Sequence, residues 1–302
     1  ENFRPGTLER AGFGYEDVKE YNEDIIYTSI SGFGQDGPWK DEPGFDLSIQ
    51  GLSGLMSLTG DPDGPPTKFG TSISDILSGI YAAFGTTMAL YHREKTGEGQ
   101  YVDVGMLDSM VSLLTYQAGR YFATGEVPER MGNFHPTISP YETFKTEDGY
   151  INLALGNDSL YEQFCELIDR EDLINDERFA SNPDRVDHQE EIHEIIEQET
   201  VKKTTDQWLE ELSEAGIPAG PIQDLEEVFN HPQVLFRDML EKVEHPEAGE
   251  ISVTGVPIKM SETPGDVEDP PPKLGEQTED ILREKLGYSS DEIETLRDDD
   301  VV

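Results

Sequence analysis

The chain has 302 residues, and its 64 acidic and 22 basic side chains give a formal net charge of −42 at pH 7. A chain of this length can bury the core of one large domain or of two ordinary ones. The negative charge disfavours nucleic acids and anionic membrane surfaces as partners, because both bind through basic patches.

The sequence also limits the cellular location and the cysteine chemistry that we expect of this protein. The sequence contains no run of about eighteen apolar residues, so no membrane-spanning helix is predicted. The first residues lack the basic and then apolar pattern of a secretory signal, and we therefore expect a cytoplasmic protein. A single cysteine, Cys165, excludes an internal disulfide and a cysteine-built metal site.

The acidic side chains are spread along the whole chain. The 13 Phe, 12 Tyr and 2 Trp argue against a disordered chain despite this charge. At about 1 M salt the Debye length is near 3 Å, so repulsion between surface carboxylates is largely screened. We interpret the composition as halophilic adaptation to molar salt. The alternative is an ordinary but very acidic cytosolic protein.

In chain order, the first predicted element is a buried strand over residues 24–31, which are apolar and β-rich. Loops rich in Gly, Pro and Asp follow at 32–44 and 59–72. A second strand is predicted over 100–106, where apolar and polar residues alternate.

The strongest helix pattern begins near Ser74 or Asp75, either of which can act as its N-cap. Its large apolar side chains recur at helical spacing: Ile76, Ile80, Phe84, Met88 and Tyr91. A second apolar helix is predicted from Leu107 to about Phe122.

The composition changes after Gly125. Residues 141–155 predict a β-hairpin that turns at Asp148 and Gly149. Further elements are predicted in the order acidic helices near 158–169, 186–200 and 204–215, a strand over 251–260 and a terminal helix over 275–286. We predict α/β architecture, with a large domain over 1–126, a smaller α+β domain over 127–250 and a return to the large domain over 251–302.

Three patterns suggest chemistry but favour a structural interpretation. The GxGxxG string at 32–37 follows a predicted strand, but prolines interrupt the helix that a dinucleotide site needs. His188 and His193 are five residues apart and do not share a helix face, which disfavours a metal site. Cys165 lies among apolar residues of an amphipathic helix, as a buried core cysteine would.

Asp75 is the acid of most interest, because it stands where an otherwise apolar helix begins. Asp is a common N-cap there, and the cap contributes about 1 kcal/mol. The same position would keep a carboxylate ionised, since the helix dipole and free amides favour the anion. Such a carboxylate can attack an activated acyl group. Asp108 has the same appearance, and spacing alone leaves both roles open.

A second unusual cluster lies at the start of the chain, where Arg4 and Arg10 occur within ten residues of a very acidic sequence. Arginine binds phosphate through two parallel hydrogen bonds. Local salt bridges at the surface are the alternative role for this pair.

Taken together, these motifs make the chain resemble the family III CoA-transferases, a group that includes formyl-CoA transferase, CaiB-type carnitine CoA-transferases and α-methylacyl-CoA racemase. The resemblance covers almost the whole chain. It rests on segments that include ENFRPGTLERAGFGYED (1–17), SGFGQDGPWKDEPGFD (31–46), GPPTKFGTSISD (64–75), HREKTGEGQYVDVGMLD (92–108) and AGIPAGPIQDLEEVFNHPQV (215–234).

The resemblance implies that Asp75 is a nucleophile. In such transferases the carboxylate attacks a donor acyl-CoA, an aspartyl-CoA thioester forms, and an acceptor carboxylic acid then takes the CoA. This chemistry uses CoA thioesters as substrates, with no metal and no permanently bound cofactor. The implied CoA contacts are Asn2, Phe3, Arg4, Arg10, Pro43, Gly44, Phe45 and Asp46. Asp108 has no such role in the family pattern, and we interpret it as a structural cap.

Phe45 separates two branches of the family. The racemase branch has a histidine there, which works with the aspartate to move an α-proton. Phenylalanine cannot exchange a proton, so a transferase is favoured over a racemase or epimerase. A truncated, non-catalytic CoA-binding chain is a further alternative.

The resemblance also implies the assembly. Family members have a Rossmann-like large domain built from both chain ends, and they form interlocked homodimers. They begin with a segment that this chain lacks before Glu1, so we expect the chain to be a fragment. The expected partners are an acyl-CoA and a small carboxylic acid.

Overall fold

The computed structural model describes residues 1–302, which group into two units, Glu1–Pro221 and Ile222–Val302. The helices of the first unit are α1 (Thr7–Arg10), α2 (Tyr15–Lys19), α3 (Asp46–Leu52), α4 (Leu55–Leu58), α5 (Ile73–Thr96), α6 (Met106–Val111), α7 (Thr115–Thr124), α8 (Asp158–Leu167), α9 (Asn182–Asp187), α10 (Gln189–Thr200) and α11 (Thr205–Glu214). Its strands are β1 (Ile26–Ser31), β2 (Gln100–Gly105), β3 (Tyr141–Lys145), β4 (Tyr150–Ala154) and β5 (Ala219–Pro221).

The second unit has fewer elements. They are α12 (Leu225–Asn230), α13 (Pro232–Phe236), β6 (Leu240–His245), β7 (Gly249–Thr254), α14 (Thr278–Asp280) and α15 (Ser290–Asp298). The two strands form an antiparallel hairpin. The predicted strand at 251–260 is therefore present but shorter, while the predicted terminal helix is α14 followed by a π-helical segment, Ile281–Lys285.

The fold is mixed α/β, as expected. Strands β1 and β2 lie parallel with Ile26 opposite Gln100, and α5 packs against both of them. A parallel pair needs such a crossover connection, because a tight hairpin can join only antiparallel strands. The predicted strands at 24–31 and 100–106 are confirmed by β1 and β2.

Helix α5 is confirmed, and it packs on the sheet through its small side chains. Its buried residues are Ser74, Ser78, Ala82 and Ala89. On the same side, the hydroxyl groups of Thr28 and Thr86 are 2.7 Å apart. The large apolar side chains form an exposed stripe, which we call the α5 stripe: Ile76, Ile80, Phe84, Met88 and Tyr91, each more than half exposed. Helical spacing located this face correctly but could not say whether the core covers it.

By length and hydropathy alone, α5 could span a membrane, which corrects the expectation that no segment could. Its packing indicates a different environment. The helix lies on a two-stranded sheet, and open sheet edges leave backbone groups that the hydrocarbon region of a membrane cannot satisfy.

The helix predicted from Leu107 to Phe122 is broken in the structure. Helix α6 ends at Val111, a 3₁₀ turn follows, and α7 begins at Thr115. Thr115 has a φ of +36°, which a β-branched residue rarely adopts. Likewise, the helix predicted over 186–200 is divided at His188 into α9 and α10.

The largest apolar core lies in the second half of the first unit. Strands β3, β4 and β5 form an antiparallel sheet, which confirms the predicted 141–155 hairpin. Helices α8 to α11 add buried side chains to one cluster around Phe144, Phe164 and Trp208. Cys165 is fully buried in this cluster, so its predicted core role is confirmed. The predicted domain boundaries at 126 and 250 stay a prediction.

Glu142 of β3 is the one acidic side chain among the buried residues. Its Oε2 lies 3.1 Å from Nδ1 of His193 on α10, while its Oε1 has no hydrogen-bond partner. Burial raises the pKa of Glu142, and the hydrogen bond to Glu142 raises the pKa of His193. Both shifts mean that the folded pair holds a proton more tightly than the separated groups do.

This pair predicts that stability falls as the pH rises. The stabilisation from His193 is complete below its ordinary pKa of 6.5 and is lost as the pH passes its higher, folded-state pKa. We expect a lower free energy of unfolding at about pH 8.5 than at about pH 6, measured by urea titration. Glu142→Gln should reduce this difference, whereas Glu147→Gln at an exposed position should keep it. Equal pH dependence in all three proteins would contradict the assignment.

Candidate active site

A cavity of about 400 Å³ collects eight of the nine site residues expected from the sequence. Asp75 lies in its wall, together with Asn2, Phe3, Arg4, Pro43, Gly44, Phe45 and Asp46. These residues come from three separate parts of the chain and meet only in the folded structure. The ninth expected residue, Arg10, lies outside this cavity.

The cavity lies at the carboxyl ends of β1 and β2. Ser31 ends β1, and Met106 directly follows β2, and both line the cavity wall. Ligands of open parallel α/β sheets bind at this edge, because loops and helix N-termini converge there. The cavity is therefore at the edge of the sheet where parallel α/β proteins bind their ligands.

The first residues of the chain are held against β1 by backbone hydrogen bonds. The amino group of Glu1 donates to the carbonyl of Thr28 at 2.9 Å, and the amide of Ile30 donates to the carbonyl of Glu1 at 3.0 Å. This pairing places Asn2 and Arg4 at the cavity mouth.

Two glycines bring the second loop onto the end of β1. A Cβ atom on Gly32 would lie 2.7 Å from Cα of Gly44, and one on Gly44 would lie 2.4 Å from Cα of Gly32. Neither distance is possible for a real side chain, so both positions require glycine. Their contact sets the position of Phe45 and Asp46.

Asp75 is the third residue of α5, and its side chain is exposed at the cavity. The expectation that Ser74 or Asp75 caps the helix was wrong. The N-cap residue is Ser72, which makes no side-chain capping bond. The Asp75 carboxylate therefore remains free of helix capping.

Asp46, at the start of α3, supplies the missing cap. Its Oδ1 accepts hydrogen bonds from the amide of Ser74 at 3.0 Å and from the Ser74 hydroxyl at 2.9 Å. Its Oδ2 accepts a 2.7 Å hydrogen bond from the Gln50 side chain. Gln50 also accepts a bond from the amide of Phe69, in the loop before α5. Asp46 and Gln50 thus fix the first turn of the helix that carries Asp75.

The pKa of Asp75 is raised above its ordinary value of 3.8, first by partial burial and then by the nearby Asp46 carboxylate. This direction is opposite to the one expected from the helix dipole alone. The physical reason is that partial burial penalises the charged carboxylate and that Asp46 adds a like charge beside it.

Arg10 lines a second cavity of about 640 Å³. Pro5 lines both cavities, so they adjoin at the start of the chain. Lys40 adds another cation to the second cavity, and the stacked rings of Tyr15 and Tyr101 form part of its wall.

Neither Arg4 nor Arg10 forms a salt bridge, although the chain has 64 carboxylate side chains. Arg10 donates a hydrogen bond only to the hydroxyl of Thr7. Their guanidinium groups are therefore available to an anionic ligand, and the salt-bridge alternative for this pair is not observed.

The other sequence candidates have structural positions. The GxGxxG string forms a loop in which Gly34 and Gly37 have positive φ, and after β1 the next helix begins only at Asp46. Asp108 is the third residue of α6, whose N-cap is Gly105, and it makes no capping bond, contrary to expectation. No group of three or more His, Cys, Asp or Glu side chains is arranged to hold a metal ion.

Sequence reasoning missed Gln50 and Ser74 as parts of the site. The Asp46 and Gln50 spacing of four residues gave a local signal for a helical pair. The bond from Asp46 to Ser74 crosses 28 residues, and no local pattern reports it.

Comparison with known proteins gives a consistent result. Residues 1–278 match the model of CoA-transferase family III. A succinate–glutarate CoA-transferase of Agrobacterium fabrum is 42% identical over 284 residues, which cover 94% of this chain and 71% of the relative. A succinyl-CoA:mesaconate CoA-transferase of Haloarcula hispanica is 39% identical over 301 residues, which cover 98% of this chain and 75% of the relative.

Solved structures agree with these relatives. The crystal structure of a CAIB/BAIF family protein from Brucella suis superimposes with a TM-score of 0.82 at 39% sequence identity. The match covers 94% of this chain and 74% of that protein.

The cap that Asp46 provides can be tested by its removal. Asp46→Ala should lower the free energy of unfolding by about 1 kcal/mol, because the amide of Ser74 loses its acceptor. Asp46→Asn should cost less, since its side-chain oxygen can still accept that bond. Urea unfolding measures both, with Asp41→Ala as the control for loss of an exposed carboxylate from the preceding loop. A loss for Asp41→Ala as large as that for Asp46→Ala would contradict the capping role.

Proposed function

The chain belongs to CoA-transferase family III and moves CoA between an acyl-CoA and a carboxylic acid, and we propose that it does so through a thioester on Asp75. The observation that supports this mechanism is the free carboxylate of Asp75 in a cavity that the expected CoA-contacting residues also line. Relatives with succinate, glutarate or mesaconate in their names support small dicarboxylic acids as its substrates.

The proposed reaction has two matched halves. The Asp75 carboxylate attacks the thioester carbonyl of the donor, and the carbon–sulfur bond breaks to leave a mixed anhydride and CoA thiolate. The thiolate then attacks the Asp75 carbonyl, which releases the donor acid and leaves aspartyl-CoA. The acceptor carboxylate repeats both steps in reverse, so that a new acyl-CoA leaves and the Asp75 carboxylate returns.

The residues around Asp75 have separate roles in this proposal. Arg4 and Arg10 bind the CoA phosphates, which is consistent with their lack of carboxylate partners. Asn2 and Phe3, together with the loop from Pro43 to Asp46, contact the CoA chain near the nucleophile. Asp46 acts as a positioning residue, because it fixes the first turn of α5.

The raised pKa of Asp75 has a consequence for catalysis. A carboxylate with a higher pKa is a stronger nucleophile once it is ionised, so the raised pKa of Asp75 favours its attack as the anion. Activity should therefore fall on the acid side, as protonation removes the attacking anion.

A racemase or epimerase is disfavoured, because Phe45 lines the cavity beside Asp75 and cannot accept a proton. A chiral 2-methylacyl-CoA incubated in deuterated buffer distinguishes the two reactions. The transferase proposal predicts no α-deuterium, whereas deuterium incorporation without CoA exchange would overturn it. Measuring CoA exchange in the same experiment also separates the proposal from a non-catalytic CoA-binding chain, which would give neither CoA exchange nor deuterium.

We also propose the assembly that the family resemblance implies. Residues 1–126 and 251–302 form the Rossmann-like large domain, residues 127–250 form the small domain, and two copies interlock. The exposed α5 stripe supports this dimer, because large apolar surface patches are rare on monomeric proteins and a second copy would bury this one.

Halophilic adaptation in the cytoplasm is a further proposal. It is supported by the position of the acids, of which Glu142 alone is buried. Raising KCl from about 0.1 M to about 1 M shortens the Debye length from about 10 Å to about 3 Å, and should therefore raise the free energy of unfolding. Unchanged or lower stability at the higher salt concentration would contradict this proposal.

The nucleophile is tested by trapping. With a donor acyl-CoA and hydroxylamine, mass spectrometry should find a hydroxamate on Asp75, since hydroxylamine attacks the thioester carbonyl and releases CoA. Asp75→Ala should abolish the label and lower kcat on the order of 10³-fold or more. Asp108→Asn is the control, because Asp108 is likewise the third residue of its helix, and this variant should keep the label on Asp75 and the wild-type kcat. A label on another residue would overturn the assignment.

The dimer is tested in molar salt by light scattering. The wild-type chain should be a dimer that does not exchange subunits with a tagged copy, because interlocked chains must unfold to separate. Phe84→Asp in the α5 stripe should reduce the dimer fraction, whereas Tyr21→Asp, at an exposed aromatic residue elsewhere, should not. A monomeric wild type would contradict the proposed assembly.

A further inference from the structure

Four side chains that can donate hydrogen bonds lie on α7, in the loop after it and at the start of β3. Tyr116 and Arg120 are four residues apart on α7 and so share one helix face. The ring of His135 lies 5.4 Å from the ring of Tyr116 and 5.4 Å from that of Tyr141, measured between centroids. We call Tyr116, Arg120, His135 and Tyr141 the α7 cluster.

The α7 cluster has a positive charge and no acid to neutralise it. Arg120 forms no salt bridge, and its one hydrogen bond from the guanidinium group goes to the amide oxygen of Gln117 at 3.1 Å. Arg120 is half-buried and has no carboxylate partner, in a chain with 42 net negative charges. The remaining donor groups of Arg120 are therefore available to a ligand.

His135 adds a second donor. Its Nδ1 accepts a hydrogen bond from the amide of Thr137 at 3.3 Å. A neutral imidazole whose Nδ1 is an acceptor carries its proton on Nε2, and no group of the chain pairs with that atom. Burial and the charge of Arg120 lower the pKa of His135, so the ring is neutral at pH 7.

The backbone at the start of α7 is strained where it leads into the cluster. Thr115 has a φ of +36° and directly precedes Tyr116. Strain of this kind persists where the surrounding structure holds it, and it is concentrated at binding and catalytic sites.

We infer that the α7 cluster binds a carboxylate, with the Arg120 guanidinium and the His135 Nε2–H as its donors and the Tyr116 and Tyr141 rings as its walls. The single positive charge of Arg120 can pair with one carboxylate group of a ligand, because a guanidinium donates two parallel hydrogen bonds to a carboxylate. The ligand class rests on the proposed function, which supplies small carboxylic acids as substrates. None of the four residues lines the Asp75 cavity, so this is a second place where the acid binds.

Direct binding of succinate to the full chain tests the site without reference to activity. Calorimetry should give a Kd for Arg120→Gln at least about tenfold higher than for the wild type, because a charge-assisted pair is lost. Tyr116→Phe should keep the wall and weaken binding less. Arg237→Gln removes the same charge from an exposed arginine that also has no salt bridge, and it should bind succinate like the wild type.

A second measurement keeps the inference testable if Arg120→Gln does not fold. The His135 imidazole resonance, assigned with His135→Asn, should shift as succinate is added to the wild-type chain. An unmoved resonance, an unchanged Kd in Arg120→Gln, or displacement of succinate by equimolar inorganic phosphate would overturn the carboxylate site. If succinate does not bind to the α7 cluster but the protein still transfers CoA, the carboxylate site is wrong and the proposed function stands. If succinate binds but no CoA is transferred, the proposed function is wrong and the carboxylate site stands.

Discussion

The structure of the site depends on the hydrogen bonds that Asp46 makes to the first turn of α5. Those bonds join two segments that are 28 residues apart, and they place Asp75 beside the loop that faces it. Partial burial raises the pKa of Asp75, and the Asp46 carboxylate raises it further as a like charge, so Asp46 affects both the position and the pKa of the proposed nucleophile. The close contact of Gly32 and Gly44 is what allows Asp46 to reach this place.

The acidic surface and the two arginines at the start of the chain have distinct roles in this protein. The acidic side chains lie outside the core, with Glu142 as the exception, while Arg4 and Arg10 at the chain start have no carboxylate partner. An acidic protein that binds CoA, itself a polyanion, needs such a local basic surface. Salt that screens the rest of the surface should favour that binding, because it weakens the long-range repulsion more than the short contacts.

Local patterns in the sequence were enough to predict β1, β2, α5 and the hairpin at 141–155, since periodicity and turn residues report neighbours along the chain. The resemblance to the family named eight residues that now line one cavity. The cap from Asp46 was missed because it is a long-range contact. The exposure of the α5 stripe was missed because periodicity shows which side chains share a helix face but not whether other residues pack on that face. Strand β6 was missed because half of its sequence, LEKVEH, is charged.

The central claim is that Asp75 forms a covalent intermediate, in which its carboxylate gives one oxygen to the donor acid and receives one from the acceptor acid. An acceptor labelled with oxygen-18 in its carboxylate, supplied with an unlabelled acyl-CoA, tests this directly. After a single turnover, the peptide that contains Asp75 should carry one oxygen-18 in place of one oxygen-16, because one aspartate oxygen leaves with the donor acid and the acceptor leaves one of its own. An unlabelled Asp75 peptide alongside a completed transfer of CoA would contradict the account, since it would mean that the two acids exchange CoA without a covalent bond to this residue.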